Sequence, residues 1–151
     1  MQSLHFDDAN ADDIPQLVDL LHTLFTIEDD FSPDTQKQRL GLEMLIANPV
    51  SGVIKVARNV DGNAIGMVSA QLVISTAEGA YSAWIEDMVI APGYRGQGIG
   101  RMLLRYVLQW AKAQGATRAQ LLVDLANDSA IDYYRHLGWQ PTQLQARRIL
   151  L

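Results

Sequence analysis

The sequence predicts one α/β domain, residues 1–151, built on a mixed but mostly antiparallel central sheet with about four helices around it. Three observations predict this. Strand-like segments interleave with segments of helical period, in the order strand, two helices, three strands, helix, strand, helix, strand. An Asp61-Gly62 step, a strong two-residue hairpin signal, joins the second strand to the third. A long amphipathic helix then separates two strands that it can connect by a right-handed crossover.

Residues 4–7 form the first strand. Asp12 or Asp13 can cap a helix whose apolar stripe, Ile14, Leu17, Val18, Leu21 and Phe25, recurs at three and four residues. The acidic loop Glu28-Asp29-Asp30 leads to a second helix, about 33–47, carrying Leu40, Met44 and Leu45 and stopped by Asn48-Pro49. Strands follow at 52–58 and 64–74. A small-residue loop around Glu78-Gly79 precedes a strand at 83–90, which Pro92-Gly93 closes. A helix at 98–114 carries Ile99, Leu103, Val107 and Trp110 as one stripe and ends at Gly115. The apolar run 118–125 suits a buried strand paired in parallel, because such strands are covered on both faces. A shorter helix at 129–137 stops at Gly138, and the tail 143–151 supplies a last strand.

Composition narrows the chemistry. With 48% apolar and 19% charged residues, 151 residues suffice for a core of their own. The absence of cysteine removes disulfides, thiolate metal sites and cysteine nucleophiles, and is compatible with a reducing cytoplasm. No apolar stretch approaches the roughly 18–20 residues that span a bilayer, and the start carries no secretory pattern. A net charge of −5 opposes an electrostatic hold on nucleic acid or anionic membrane, and mildly favours a cationic substrate. His5, His22 and His136 show no metal-ligand spacing, so no metal is expected. No G-x-S-x-G elbow marks a serine hydrolase.

The most informative stretch runs from Ile90 to Gly100, Ile-Ala-Pro-Gly-Tyr-Arg-Gly-Gln-Gly-Ile-Gly, between a strand and the start of an amphipathic helix. Glycines 96, 98 and 100 let the backbone approach a ligand closely. The helix N-terminus offers unpaired N–H groups and the positive end of the dipole, both suited to phosphate, and Arg95 adds a cation. A P-loop would need Lys and Ser/Thr where Ile99 and Gly100 stand. A dinucleotide fingerprint from Gly96 would need Gly or Ala at Arg101. A glycine-rich turn without a ligand is the alternative.

Here the sequence resembles the GNAT superfamily of N-acetyltransferases, whose Arg/Gln-x-x-Gly-x-Gly/Ala signature is met by Arg95, Gly98 and Gly100. A second block, from Asn127 through Tyr133-Tyr134 to Gly138-Trp139, is similar to the family's Asn, Ala, aromatic-Tyr, Gly-aromatic stretch. The resemblance implies a sheet splayed between the fourth and fifth strands, and acetyl-CoA as cosubstrate. It implies that Arg95, Gly96, Gln97, Gly98, Ile99, Gly100 and Arg101 hold the pyrophosphate. The main chain of Met88 and Ile90 would hold the pantetheine arm, with Asn127 contacting it from the other side. A homodimer is also consistent with the family.

Amine acetylation sets two proton problems. A primary ammonium, with a pKa of about 10.4 in model compounds, must lose a proton before it attacks. The departing thiolate, judged by cysteine at about 8.5, gains from an acid. By resemblance Tyr134 is the acid and Glu86 the base. Strand alternation places Trp84, Glu86, Met88 and Ile90 on one face, with Asp87 turned away as a structural carboxylate. The local motifs are most similar to the diamine (spermidine/spermine) acetyltransferases, so a diamine or polyamine is the expected acceptor. Glu28, Asp29 and Asp30 would then form its pocket. An Ile-Glu-Asp strand motif is shared with glucosamine-phosphate acetyltransferases, but no basic cluster marks a sugar-phosphate site. Aminoglycosides, protein amines and a non-catalytic CoA-binding module are the other readings.

Overall fold

The computed structural model describes residues 3–27 and 33–151. They divide into two compact units, 1–120 and 121–151. The acidic loop Glu28-Asp29-Asp30 lies outside the described residues.

The first unit contains β1 (His5–Asp8), α1 (Ile14–Ile27), α2 (Thr35–Ile46), β2 (Gly52–Arg58), β3 (Ala64–Ser75), β4 (Ala80–Ile90) and α3 (Ile99–Ala113). It also holds all but the last residue of β5 (Ala116–Leu121). Single 3-10 turns precede α1 (Ala11–Asp13) and follow β4 (Pro92–Tyr94). The sheet order is β1-β2-β3-β4-β5, with antiparallel pairing through β4 and β5 parallel to β4. This is the mixed, mostly antiparallel sheet that the sequence predicts. The hairpin turn is where Asp61-Gly62 places it: Gly62 has φ +82°, and the Asn59 carboxamide accepts from Asp61 N and Asn63 N.

Cross-strand rows assign the two faces. On one face lie the rows Gly52–Gln71–Trp84, Ile54–Ser69–Glu86 and Val56–Met67–Val89. Helices α1 and α2 cover this face: Leu17, Leu21 and Leu42 join Ile54, Val56, Met67 and Val89 in one buried cluster. Each such side chain contributes on the order of 1.5–3 kcal/mol on leaving water. Helix α3 covers the other face, where the Leu103 side chain and Ile90 Cδ1 crowd against Gly66.

The sheet breaks step once. Ser69 pairs with Glu86 but Met67 with Val89, so Asp87 and Met88 together oppose Val68, a β-bulge. Asp87 takes φ +56°, a left-handed conformation that Asp tolerates better than most residues. The predicted alternation is therefore corrected. Glu86 and Val89 share the α1/α2 face, while Ile90 pairs with Gly66 on the α3 face.

Three further expectations change. In α2 the buried residues are Gln38 and Leu42, and Leu40 and Met44 are exposed, because the helix turns its 38/42 side to the sheet. Strand β5 ends at Leu121 rather than at 125, and it is half-buried, not covered on both faces. Arg118 pins it beside the start of β4, donating from Nε to Ser82 Oγ and from Nη2 to Ser75 Oγ, both at 3.2 Å. With six residues against eleven, β4 runs on toward Ile90 after β5 has ended.

Near β1, Arg58 forms a two-pronged pair with Asp13 (2.7 and 2.8 Å) and reaches Asp7 through Nε at 2.7 Å. Asp13 also closes a capping box with Asn10. Both charged partners are largely buried, with side-chain exposures of 11% for Arg58 and 8% for Asp13. The Arg58 hydrogen bonds hold the Asp13 carboxyl below its ordinary value, and Asp13 in return raises that of Arg58.

The second unit carries α4 (Asp128–His136), capped by Asn127 and ended by Gly138 at φ +93°. The predicted strand at 143–151 is absent. Those residues are exposed and have no assigned strand, since β character needs a paired neighbour to pack against.

Candidate active site

The glycine turn grows out of β4. After Ile90, the 3-10 turn Pro92–Tyr94 redirects the chain, and Tyr94 is anchored where its hydroxyl accepts from Asn59 Nδ2 at 3.2 Å. Gly96 and Gly98 then adopt φ +74° and +78°. A Cβ at either position would meet nothing within 4 Å, so glycine is required by backbone conformation and not by crowding.

Gly98 is the N-cap of α3 and supplies no side-chain acceptor, leaving the first-turn N–H groups for an outside anion. Its left-handed step into a right-handed helix has the form of an anion-binding nest. Gly96, Gln97, Gly98 and Arg101 are exposed around it, whereas the Ile99 side chain is in the core. Only the Ile99 main chain can therefore face a ligand. Arg95 folds back so that Nε donates to the Ile90 carbonyl at 3.1 Å. That occupies the main-chain acceptor expected to hold the pantetheine arm, while the Nη donors of the guanidinium stay suited to phosphate.

The chain fits a pyrophosphate-bearing ligand here on conformational grounds. We expect Gly98→Ala to raise KM for acetyl-CoA by about five- to thirtyfold, because an alanine forced left-handed costs roughly 1–2 kcal/mol and shifts the N–H groups. A titration of initial rate against acetyl-CoA checks this. An unchanged KM would separate the turn from the cosubstrate.

On the α1/α2 face, Glu86 is exposed and its Oε1 accepts from the Trp84 indole N–H. Its carbonyl accepts from Ser69 Oγ at 3.1 Å, a side-chain bond where the bulge interrupts the ladder. Both ends of Glu86 are thus held. Sequence reasoning placed Trp84 beside Glu86 through its spacing of two, but nothing in the sequence marked Ser69. On the same side of the sheet a cleft of about 240 Å³ opens between α1 and the end of β4, lined by Gln16, Asp19, Leu20, Thr23, Ala91 and Pro92. No motif or spacing marks it in the sequence.

In the second unit, Asn127 Oδ1 accepts from Ala130 N at 3.0 Å, so the residue expected at the pantetheine arm caps α4. Tyr134 is half-buried and meets Tyr133 and Trp139 edge to face, with centroids 5.4 and 6.0 Å apart.

A strand, a left-handed glycine turn and an uncapped helix N-terminus follow one another in this α/β fold, an arrangement suited to an anionic group. The chain belongs to the acetyltransferase (GNAT) family, whose model matches residues 14–139. It is 38% identical over 89 residues to streptothricin acetyltransferase of Streptomyces lavendulae, covering 56% of this chain and 42% of that protein. It is 37% identical over 67 residues to bovine thialysine N-epsilon-acetyltransferase, covering 40% and 39%. The chain thus matches about two fifths of the length of these curated relatives. An aminoglycoside acetyltransferase from a soil metagenome, solved with sisomicin, shares the fold at TM-score 0.76 and 20% identity, covering 98% of this chain and 97% of that one. Among the described residues, no helix is long and apolar enough to cross a membrane.

Proposed function

We propose that the chain is one acetyl-CoA-dependent N-acetyltransferase domain acting on a primary amine by direct transfer. The observation that carries this is the turn 95–101, with its two left-handed glycines and uncapped α3, inside the stretch 14–139 that the acetyltransferase family model matches. The amine nitrogen attacks the thioester carbonyl, an N–C bond forms and the C–S bond breaks. Glu86 takes the ammonium proton, Tyr134 protonates the CoA thiolate as it leaves, and the second proton lost from the acylated nitrogen returns to the Tyr134 phenolate or to solvent. Positioning and proton transfer suffice, and no metal or covalent enzyme intermediate is needed.

The acceptor we favour is an aliphatic amine, with diamines and polyamines first. An exposed carboxylate in a chain of net charge −5 supports a cation there, and Glu28, Asp29 and Asp30 would add to it. The similarity to streptothricin acetyltransferase favours a streptothricin-like amine as a second reading.

The test is thiol release from acetyl-CoA over polyamines, aminoglycosides, amino acids and short peptides. Turnover with any of these supports the class, and the amine identifies the acceptor. Tyr134→Phe should then slow turnover by about 10²-fold, in the lower range for a lost proton donor, without altering acetyl-CoA binding. Thermal protection by acetyl-CoA without thiol release would point to a binding module, and no protection would sink the proposal.

A further inference from the structure

Trp84 offers a large, half-exposed ring on the α1/α2 face, in the row next to Glu86. Its N–H is fixed on Glu86 Oε1, so the edge of the indole abuts the carboxylate and cannot swing away without breaking that bond. One lone pair of Oε1 is thereby used, and Oε2, which accepts no side-chain hydrogen bond among the described residues, is the more open of the two oxygens to a cation. The main chain beneath is held by Ser69, and the bulge at Asp87 fixes where the strand turns. A group approaching Oε2 therefore arrives next to a rigid apolar ring of known attachment. Beyond Trp84, the row ends in exposed Gln71 and in Gly52, which has no side chain, so no other charge adjoins the ring along that row.

We infer that Trp84 is the specificity-determining residue for the acceptor, selecting linear aliphatic primary amines whose ammonium meets Glu86 Oε2 and whose methylene chain lies along the indole. This rests on Glu86 facing the acceptor, as proposed above. The indole does two separable things. Its N–H orients the carboxylate, and its ring supplies apolar surface and a π-face for the cationic end.

The experiment measures kcat and KM for n-alkylamines from ethyl to hexyl and for 1,5-diaminopentane, on the intact chain and on Trp84→Phe, Trp84→Ala and Glu86→Gln. Circular dichroism confirms that each variant is folded. In the parent, kcat/KM should climb with chain length by up to about fourfold per methylene, the ratio that full burial of one CH₂ yields. Trp84→Phe should keep the climb but lose about tenfold in kcat, since the ring persists and the donor is gone. Trp84→Ala should flatten the climb and leave KM for acetyl-CoA unchanged.

A climb that survives in Trp84→Ala, or equal losses at every chain length in both Trp84 variants, overturns the inference and leaves Glu86 untouched. Full activity of Glu86→Gln overturns the base assignment, and this inference with it. Turnover confined to aminoglycosides, with no linear amine accepted, also overturns it.

Discussion

Glu86→Gln is expected to lower kcat by about 10²- to 10⁴-fold, the span over which a positioned general base acts. Glutamine keeps the shape of the side chain and an oxygen for the Trp84 N–H, so the strand and its bulge should persist. What it loses is the capacity to take the ammonium proton. The glycine turn that we assign to the cosubstrate lies beyond Ile90, so KM for acetyl-CoA should stay within a factor of about two. Steady-state thiol release, with each substrate varied in turn, makes the measurement. A change confined to the amine KM would make Glu86 a binding carboxylate and place the base elsewhere, with Asp19 in the cleft beside α1 the next residue to test.

The second large effect concerns stability. Arg58→Met should cost about 3–5 kcal/mol, because it strands the Asp13 carboxylate in a site where only 8% of the side chain meets solvent. In a chain of this size that corresponds to a fall in Tm of roughly 10 °C. The loss should depend on pH in a definite direction. Asp13 is held below its ordinary value, so its contribution is complete above the unfolded carboxyl pKa of about 3.9. It disappears as pH falls through the lower native value. Urea denaturation of parent and variant should therefore show a wide gap at neutral pH that narrows below about pH 4. A gap that persists unchanged into acid would assign the cost to packing of the Arg58 stem.

The fold was legible wherever one physical signal dominated. The three- and four-residue recurrence in α1 and α3 survives because each lays one apolar side on the sheet, and Asp61-Gly62 dictates its turn through backbone conformation alone. Helix α2 is legible as a helix, but its core side is hidden because that side carries a glutamine. The Gln38 carboxamide is buried with no hydrogen-bond partner among the described residues, and a polar core residue erases the pattern that would reveal it. The tail 143–151 has apolar residues but no ladder, and pairing cannot be seen in composition.

The site divided the same way. Gly96 and Gly98 announced their turn, since few other residues take those dihedral angles. The bulge was invisible because Trp84-Ile85-Glu86-Asp87-Met88-Val89-Ile90 contains neither Gly nor Pro to mark the break. Ser69 escaped for a related reason: its value lies in a hydrogen bond to a carbonyl 17 residues away.

The single extra residue at Asp87 divides β4 into two frames. It works as a phase shifter, cutting β4 into two half-strands whose inward and outward positions are no longer tied to each other. The side chains around Trp84 and Glu86 therefore belong to one frame, and the turn that we assign to the acetyl donor grows from the other.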